Sequence, residues 1–287
     1  MNISDYKIAA NSKFTLADRD SLVEIDHLSK KDIKAHLRKN VEIMQDLQAK
    51  LYAHDKYAIL IVFQAMDTAG KDGAIKHVMT GLNPQGTQVH SFKQPSEEEL
   101  DHDYLWRAAR YMPNRGEIGI FNRSYYEEVL VVRVHNLLKK AKLPTQFITD
   151  NIWDNRYRQI RDYEKYLYEN GVLIYKFFLH ISKEEQKNRL LARIDNKSKN
   201  WKFSEADLKE RNYWEDYQKC FSDAINMTST RYAPWYVIPS DNKWISRYII
   251  SSVLIHNMKR LGLHFPLVTD EKHKMLLECK KSLLGEK

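Results

Sequence analysis

Over residues 30–52 (KKDIKAHLRKNVEIMQDLQAKLY) the apolar side chains Ile33, Leu37, Val41, Met44, Leu47 and Leu51 recur three or four positions apart. That period lines one face of a helix, so the segment predicts an amphipathic α-helix. The pattern then changes abruptly. Residues 57–63 (YAILIVF) form an unbroken apolar run of strand length, as expected of a parallel strand covered on both faces. A Gly-containing turn follows, then a helix over about 71–81 and a second strand at 87–92 (TQVHSF). Ser96 and Glu99 have the spacing of a capping box, which opens a helix through about Tyr111. EIGIFN (117–122) predicts a third strand, and Ser124 with Glu127 repeats the capping-box spacing before YEEVLVVRVHNLL. Residues 145–169 predict a long helix and 171–181 (GVLIYKFFLHI) a fourth strand, with Ser182 and Glu185 capping the next helix. A basic, aromatic segment at 195–211 interrupts the regular pattern. A helix over about 205–229, a short strand at 234–239 (PWYVIP) and a final amphipathic helix to about 262, capped by Asp241, complete the order.

Strands alternating with helices predict an α/β fold, a three-layer α/β/α sandwich on a parallel five-stranded sheet. Ligands of such sheets bind at the carboxyl ends of the strands, which singles out the turns after Phe63, Phe92, Phe121, Ile181 and Ile238. There is no internal repeat, low-complexity tract or Gly/Ser-rich linker, and the chain has only 9 Gly and 7 Pro. One domain over 1–287 is therefore expected, with an N-terminal helical extension to about residue 55. The 43% hydrophobic and 29% charged content fits a soluble globular protein. No apolar run approaches the ~20 residues that span a bilayer, and the N-terminus shows no secretory pattern. Cys220 and Cys279 are too far apart for a metal-ligand spacing. A cytoplasmic protein with no membrane partner is the expectation. The net charge of +8 points to an anionic partner such as nucleic acid, nucleotide or polyphosphate, and the placement of the charge decides among them.

That placement is informative after the first strand, where the chain reads Ala65-Met66-Asp67-Thr68-Ala69-Gly70-Lys71-Asp72-Gly73. The phosphate-loop pattern GxxxxGK[ST] lies between a strand and a helix, as Gly70-Lys71 does here. Two positions depart from it: Ala65 replaces the first Gly, and Asp72 replaces the hydroxyl residue that binds Mg²⁺. Successive backbone N–H groups, the helix N-terminus and the Lys71 ammonium together suit a phosphate. The alternative is an ordinary turn with a surface lysine. Without the hydroxyl ligand a carboxylate must compensate, because Mg²⁺ takes hard oxygen donors. Asp67 is the nearest, as metal ligand or proton acceptor, and otherwise as a turn residue.

At the end of the third strand stand Asn122 and Arg123. Asn122 occupies a position where an acidic metal ligand is common; its amide oxygen coordinates without charge. Glu127 and Glu128 lie one turn further on. Glu127 is accounted for as the far half of a capping box, so Glu128 is the favoured carboxylate. Arg123 and Arg133 offer bidentate contacts to phosphate, and for Arg133 the alternative is a structural ion pair. Arg189 and Arg193 share a helix face and lead into Lys197, Lys199, Trp201, Lys202 and Phe203, with Arg211 beyond. This segment, about 189–211, resembles the helical lid of nucleotide kinases, which closes cations over the transferred phosphate. Trp201 and Phe203 argue against a merely solvated loop.

With these residues in place the chain resembles the polyphosphate kinase 2 family, and its class III members in particular, over about residues 30–265. The resemblance rests on FQAMDTAGKDGAIKHVMTGLNPQG (63–86), SFKQPSEEELDHDYLWR (91–107), GIFNRSYYEEVLVVRVH (119–135), RIDNKSKNWKFSEADLKER (193–211) and WYVIPSDNKWISR (235–247). It implies a phosphate-loop kinase fold, Mg²⁺ (or Mn²⁺) dependence, and polyphosphate in a basic channel beneath the lid, with AMP or ADP, and guanine nucleotides as further candidates, as acceptor. By the same resemblance Asp67 is the catalytic and metal-binding carboxylate, with Asn122 and Glu128 as further metal candidates. Ala69, Gly70, Lys71, Asp72, Gly73 and Lys76 would hold phosphates, together with Arg189, Arg193, Lys199, Lys202 and Arg211. Asn83, Asn122, Arg123 and Arg133 would hold the nucleotide. A homodimer or homotetramer is expected from the family alone.

Two other readings use the same residues. A nucleoside monophosphate kinase would share loop and lid, but would carry a hydroxyl residue where Asp72 stands. A nucleic-acid-binding protein would use the charge and the 17 tyrosines, yet leaves the loop, third-strand arginine and lid without a common purpose. A phosphate-loop scaffold without activity has no feature in its favour.

Overall fold

The computed structural model describes residues 1–25 and 28–286, with the side chains of Lys139, Lys140 and Lys202 outside that description. Five strands form one parallel sheet: β1 (Ala58–Ala65), β2 (Thr87–Ser91), β3 (Ile118–Asn122), β4 (Val172–His180) and β5 (Trp235–Pro239), in the order β2-β3-β1-β4-β5. The apolar run of β1 takes the centre because both of its faces can be buried, and Ile59–Phe63 are completely shielded. The order reverses beside β1, where an open α/β sheet forms its ligand crevice. Register aligns Phe63 with both Asn122 and Phe177, so the carboxyl ends of β1, β3 and β4 meet at one level.

Helices cover both faces. Lys30–His54 packs on Lys243–Lys259, which in turn packs on Lys71–Val78; Ile152–Glu169 and Trp214–Thr228 cover the other side. The helix at 30–54 buries Ile33, Leu37, Met44, Leu47 and Leu51 within its own chain and opens with a capping box between Ser29 and Asp32.

Several elements differ from the sequence expectation. Among the described residues before Lys30 the extension carries no α-helix; it has two short 3₁₀ turns (Ile3–Tyr6 and Leu16–Asp18) and lays Lys7 antiparallel to Tyr236 at the sheet edge. The helix expected from Ser96 to Tyr111 divides into Glu97–Leu100 and Trp106–Ala109. That expected over 145–169 begins at Ile152, and that over 205–229 divides into Glu205–Glu210 and Trp214–Thr228. Asn242, not Asp241, caps the helix after β5. Asp241 instead accepts from the Ser182 backbone and the Ser21 hydroxyl. A helix over Asp270–Gly285, capped by Thr269, was not expected. Among the described residues no helix is long and apolar enough to cross a membrane.

Candidate active site

The turns after the strands converge on one open cavity of about 910 Å³. The loop after β1 supplies Asp67–Ala74, the turns after β2 and β3 supply Lys93 and Asn122–Arg123, and the helix Lys183–Asp195 supplies Glu185, Arg189 and Arg193. Lys199 and Asp207 come from the segment that follows that helix, and Lys243 and Arg247 from the helix after β5. Among the described residues eight cations line it (Lys71, Lys93, Arg123, Arg189, Arg193, Lys199, Lys243, Arg247) against four carboxylates (Asp67, Asp72, Glu185, Asp207). Such an excess suits a polyanion, since like charges are gathered where an anion would offset them.

The loop has the backbone of a phosphate cradle. Gly70 sits at φ 106°, in the region that favours glycine, directly before the helix Lys71–Val78. Thr68 and Arg123 also hold positive φ, at 62° and 64°, and Thr68 buries its hydroxyl oxygen without a hydrogen-bond partner. Backbone strain of this kind concentrates at working sites. Lys71 is 9% exposed and its Nζ donates to the Ala65 carbonyl at 2.9 Å. Burial lowers its pKa from the ordinary lysine value, with Asp67 opposing. Gly73 is also constrained: an added Cβ would lie 3.0 Å from Arg247 Nη2.

Asp67 accepts from Arg123 Nη2 at 3.1 Å. Asn122 donates its amide N–H to Asp72 at 2.9 Å, leaving the amide oxygen available. Desolvation would lower the Arg123 pKa, but Glu127 and Asp67 outweigh it and raise it. Burial raises the pKa of Glu127, opposed by Arg123 and Lys71. Burial and nearby Asp67 likewise raise that of Asp207. The short helix Glu205–Glu210 thus brings a carboxylate towards the loop.

Several sequence candidates lie elsewhere. Glu128 does not line the cavity; it pairs with Arg156 at 3.0 Å, both side chains nearly buried. Glu127 is not in the lining either, but its charge acts on Lys71 and Arg123. The expected capping box is not formed, because Ser124 accepts from the Tyr126 N–H and Tyr125–Val129 winds as a 3₁₀ turn. Arg133 pairs with Asp223 at 2.8 Å and donates to Tyr157, away from the cavity. Lys76 is exposed and outside the lining, and Asn83 caps the short turn Pro84–Gly86 while bonding to Gln48. Arg211 donates to Lys183 O and Gln186 Oε1, outside the lining. Arg189 lines the cavity, yet its guanidinium is taken up by the carbonyls of Thr68, Ala69, Ser240 and Asp241 and by Glu185. Arg193 pairs with Asp207 at 3.3 Å. Trp201 is 77% exposed, and its indole N–H donates to the Ser198 carbonyl at 3.1 Å. The side chain of Lys202 lies outside the described residues.

Sequence reading named neither Lys93, Lys243, Arg247 nor Asp207. The strand-end rule points at the turns after Phe92 and Ile238, so a signal was present for Lys93 and for Lys243 at the start of the following helix, but not for Arg247 a turn further on. Asp207 gave none, being also the capping-box partner of Ser204.

Among the described residues no three His, Cys, Asp or Glu side chains gather closely enough to hold a metal by themselves. Mg²⁺ is commonly held by one or two carboxylates plus substrate phosphates. The pair Asp67 and Asp72, with the Asn122 amide, fits that mode.

The model of the family "Polyphosphate kinase 2 (PPK2)" matches residues 27–263. The "ADP-polyphosphate phosphotransferase" of Rhodopseudomonas palustris is 47% identical over 281 residues, covering 97% of each chain. The "AMP/ADP-polyphosphate phosphotransferase" of Meiothermus ruber is 42% identical over 277 residues, covering 95% of this chain and 99% of its own. The crystal structure of Polyphosphate Kinase 2 from Arthrobacter aurescens superposes with a TM-score of 0.87 at 37% identity, covering 97% of each chain.

Proposed function

This chain belongs to the polyphosphate kinase 2 family, and we propose that its cavity transfers phosphoryl groups between inorganic polyphosphate and AMP or ADP. The observation that carries the reading is the meeting of eight cations with a phosphate loop at the sheet's switch point. A site for two polyanionic substrates must offset their mutual repulsion, and one nucleotide alone would need fewer cations.

In the forward direction an oxygen of the acceptor's terminal phosphate attacks the end phosphorus of polyphosphate. A new P–O bond forms as the bond to the penultimate phosphate breaks, and the shortened chain leaves with the electron pair. The attacking oxygen is already anionic, so no proton has to be removed. Lys71 and the loop N–H groups would hold the transferred group, and Arg123 the acceptor phosphate. Lys93, Lys199, Lys243 and Arg247 would line the path of the chain. Asp67 and Asp72, with Asn122, would hold Mg²⁺, which when bound neutralises charge between the two phosphates. Arg189 organises the loop from behind.

Incubation with polyphosphate and AMP, ADP or GDP should yield nucleoside triphosphate, most readily from the adenine nucleotides. Absence of any polyphosphate-dependent product would refute the reading. Asp67→Asn should reduce the rate by about 10²-fold or more, and near-intact turnover would remove Asp67 from its role. Polyphosphate affinity should fall steeply with salt, by counterion release.

A further inference from the structure

The helix Lys183–Asp195 leads into the lid, and its inner face touches the loop that carries Asp67. Two side chains three residues apart make that contact. Arg189 Nη1 donates to the carbonyls of Thr68 at 3.2 Å and Ala69 at 2.9 Å. Gln186 Nε2 donates to the carbonyl of Asp67 at 3.0 Å. Three consecutive loop carbonyls are therefore drawn towards one helix face.

Gln186 is 2% exposed, and its other end is also engaged. Its Oε1 accepts from Arg211 Nη1 at 2.6 Å, and the same nitrogen donates to the Lys183 carbonyl at 3.1 Å. Arg211 follows directly on the lid helix Glu205–Glu210, which brings Asp207 into the cavity. The orientation of the amide is fixed by its partners, since a carbonyl needs a donor and a guanidinium needs an acceptor. One buried amide thus joins the far end of the lid to the backbone of the loop's carboxylate residue.

We propose that Gln186 is a positioning residue which couples the placement of the lid to that of Asp67, so that the loop is correctly set only when Arg211 is docked. The proposal rests on the reading of Asp67 as a catalytic carboxylate. A buried amide with both ends used has one low-energy arrangement, and losing either partner strands a buried polar group. Pulling Arg211 away would leave the Gln186 oxygen unpaired. The amide would then turn or shift, releasing the Asp67 carbonyl beside a residue already followed by a strained one, Thr68 at φ 62°.

The test uses the full chain and steady-state phosphotransfer from polyphosphate to ADP. Gln186→Glu keeps an acceptor for Arg211 and removes the donor to Asp67. Gln186→Met removes both without adding charge. Both should lower kcat per folded molecule by about tenfold, the effect of one hydrogen bond, with KM for polyphosphate changed by less than about twofold, while the stranded partners lower the melting temperature by some degrees. Arg211→Met should also lower kcat, and should lower it no further in the Gln186→Met background, because the two would act through one path. Asp67→Asn is run alongside. If Asp67→Asn is inactive while both Gln186 variants keep full kcat, the coupling is overturned and the site reading stands. Additive losses of kcat for Gln186→Met and Arg211→Met, or a loss that disappears once the rate is taken per folded molecule, overturn it equally. If Asp67→Asn keeps full activity, the catalytic reading of Asp67 fails and the proposal falls with it.

Discussion

Two buried lysines face carboxylates in this protein, and they are built in opposite ways. Lys176, on β4, is completely shielded and donates to Glu164 at 2.6 Å, to Tyr126 at 2.9 Å and to the Thr228 carbonyl at 2.8 Å. Glu164 in turn accepts from Tyr125 and Tyr126, each at 2.9 Å. All three ammonium protons and the carboxylate lone pairs that point inward are used. Lys71 is nearly as buried, yet it leans on loop carbonyls, one at 2.9 Å and one at 3.5 Å. Its carboxylate neighbours Asp67 and Asp72 open onto the cavity. A closed network is a piece of the core; an open one keeps its charge for something that arrives. Burial alone does not tell the two lysines apart. The number of fixed partners does.

Breaking the closed pair should have the largest effect. Lys176→Met leaves Glu164 buried without its partner and should lower unfolding stability by about 3–5 kcal/mol, measured by urea denaturation. Turnover per folded molecule should hold. Adding Glu164→Leu should recover part of that loss, because the unpaired charge is gone although the buried Tyr125 hydroxyl loses its acceptor. The mirror experiment is Lys71→Met, expected to slow transfer by about 10²–10³-fold with unfolding stability little changed. A melting temperature that falls as far as in Lys176→Met would make Lys71 a structural residue and erase the contrast.

The smallest effect sharpens the comparison through pH. Burial, with Glu164 opposing, depresses the pKa of Lys176 to about 8, against about 10.5 for lysine in the unfolded chain. Between those values the unfolded chain holds a proton that the folded chain has released, so this group makes stability rise with pH. Relative to the Lys176→Met, Glu164→Leu double variant, the wild-type chain should gain at most about 1.4 kcal/mol per pH unit from pH 8 to 9.5. A flat difference would show that the pair stays charged throughout.

Much of the site was legible because its signals are local. The unbroken run before Gly70 marks a central strand, and Lys71 at the start of the next helix marks a phosphate cradle. The strand-end rule points at the turn that holds Lys93 and at the turn before the helix that carries Lys243 and Arg247, even though it names none of them. Where the reading of side chains missed, the deciding contact lies far along the chain. Arg133 meets Asp223 ninety residues later, and Arg189 is taken by Ser240 and Asp241 fifty residues on.

The choice between Glu127 and Glu128 shows the boundary most clearly. Both lie one turn beyond Arg123, and capping-box spacing assigned Glu127 a local role. The segment winds as a 3₁₀ turn, in which successive side chains step by about 120° instead of about 100°, so helical spacing does not say which carboxylate looks inward. Arg156, on another helix, claims Glu128. By itself the sequence determined the five strands and the main helices between them, the turn at Gly70-Lys71 that opens the helix after the central strand, and the cationic character of the strand ends. Periodicity, capping and charge are written in neighbouring residues. Only the tertiary structure decided which charges face the cavity and which are spent on one another, because an ion pair forms wherever folding brings opposite charges together.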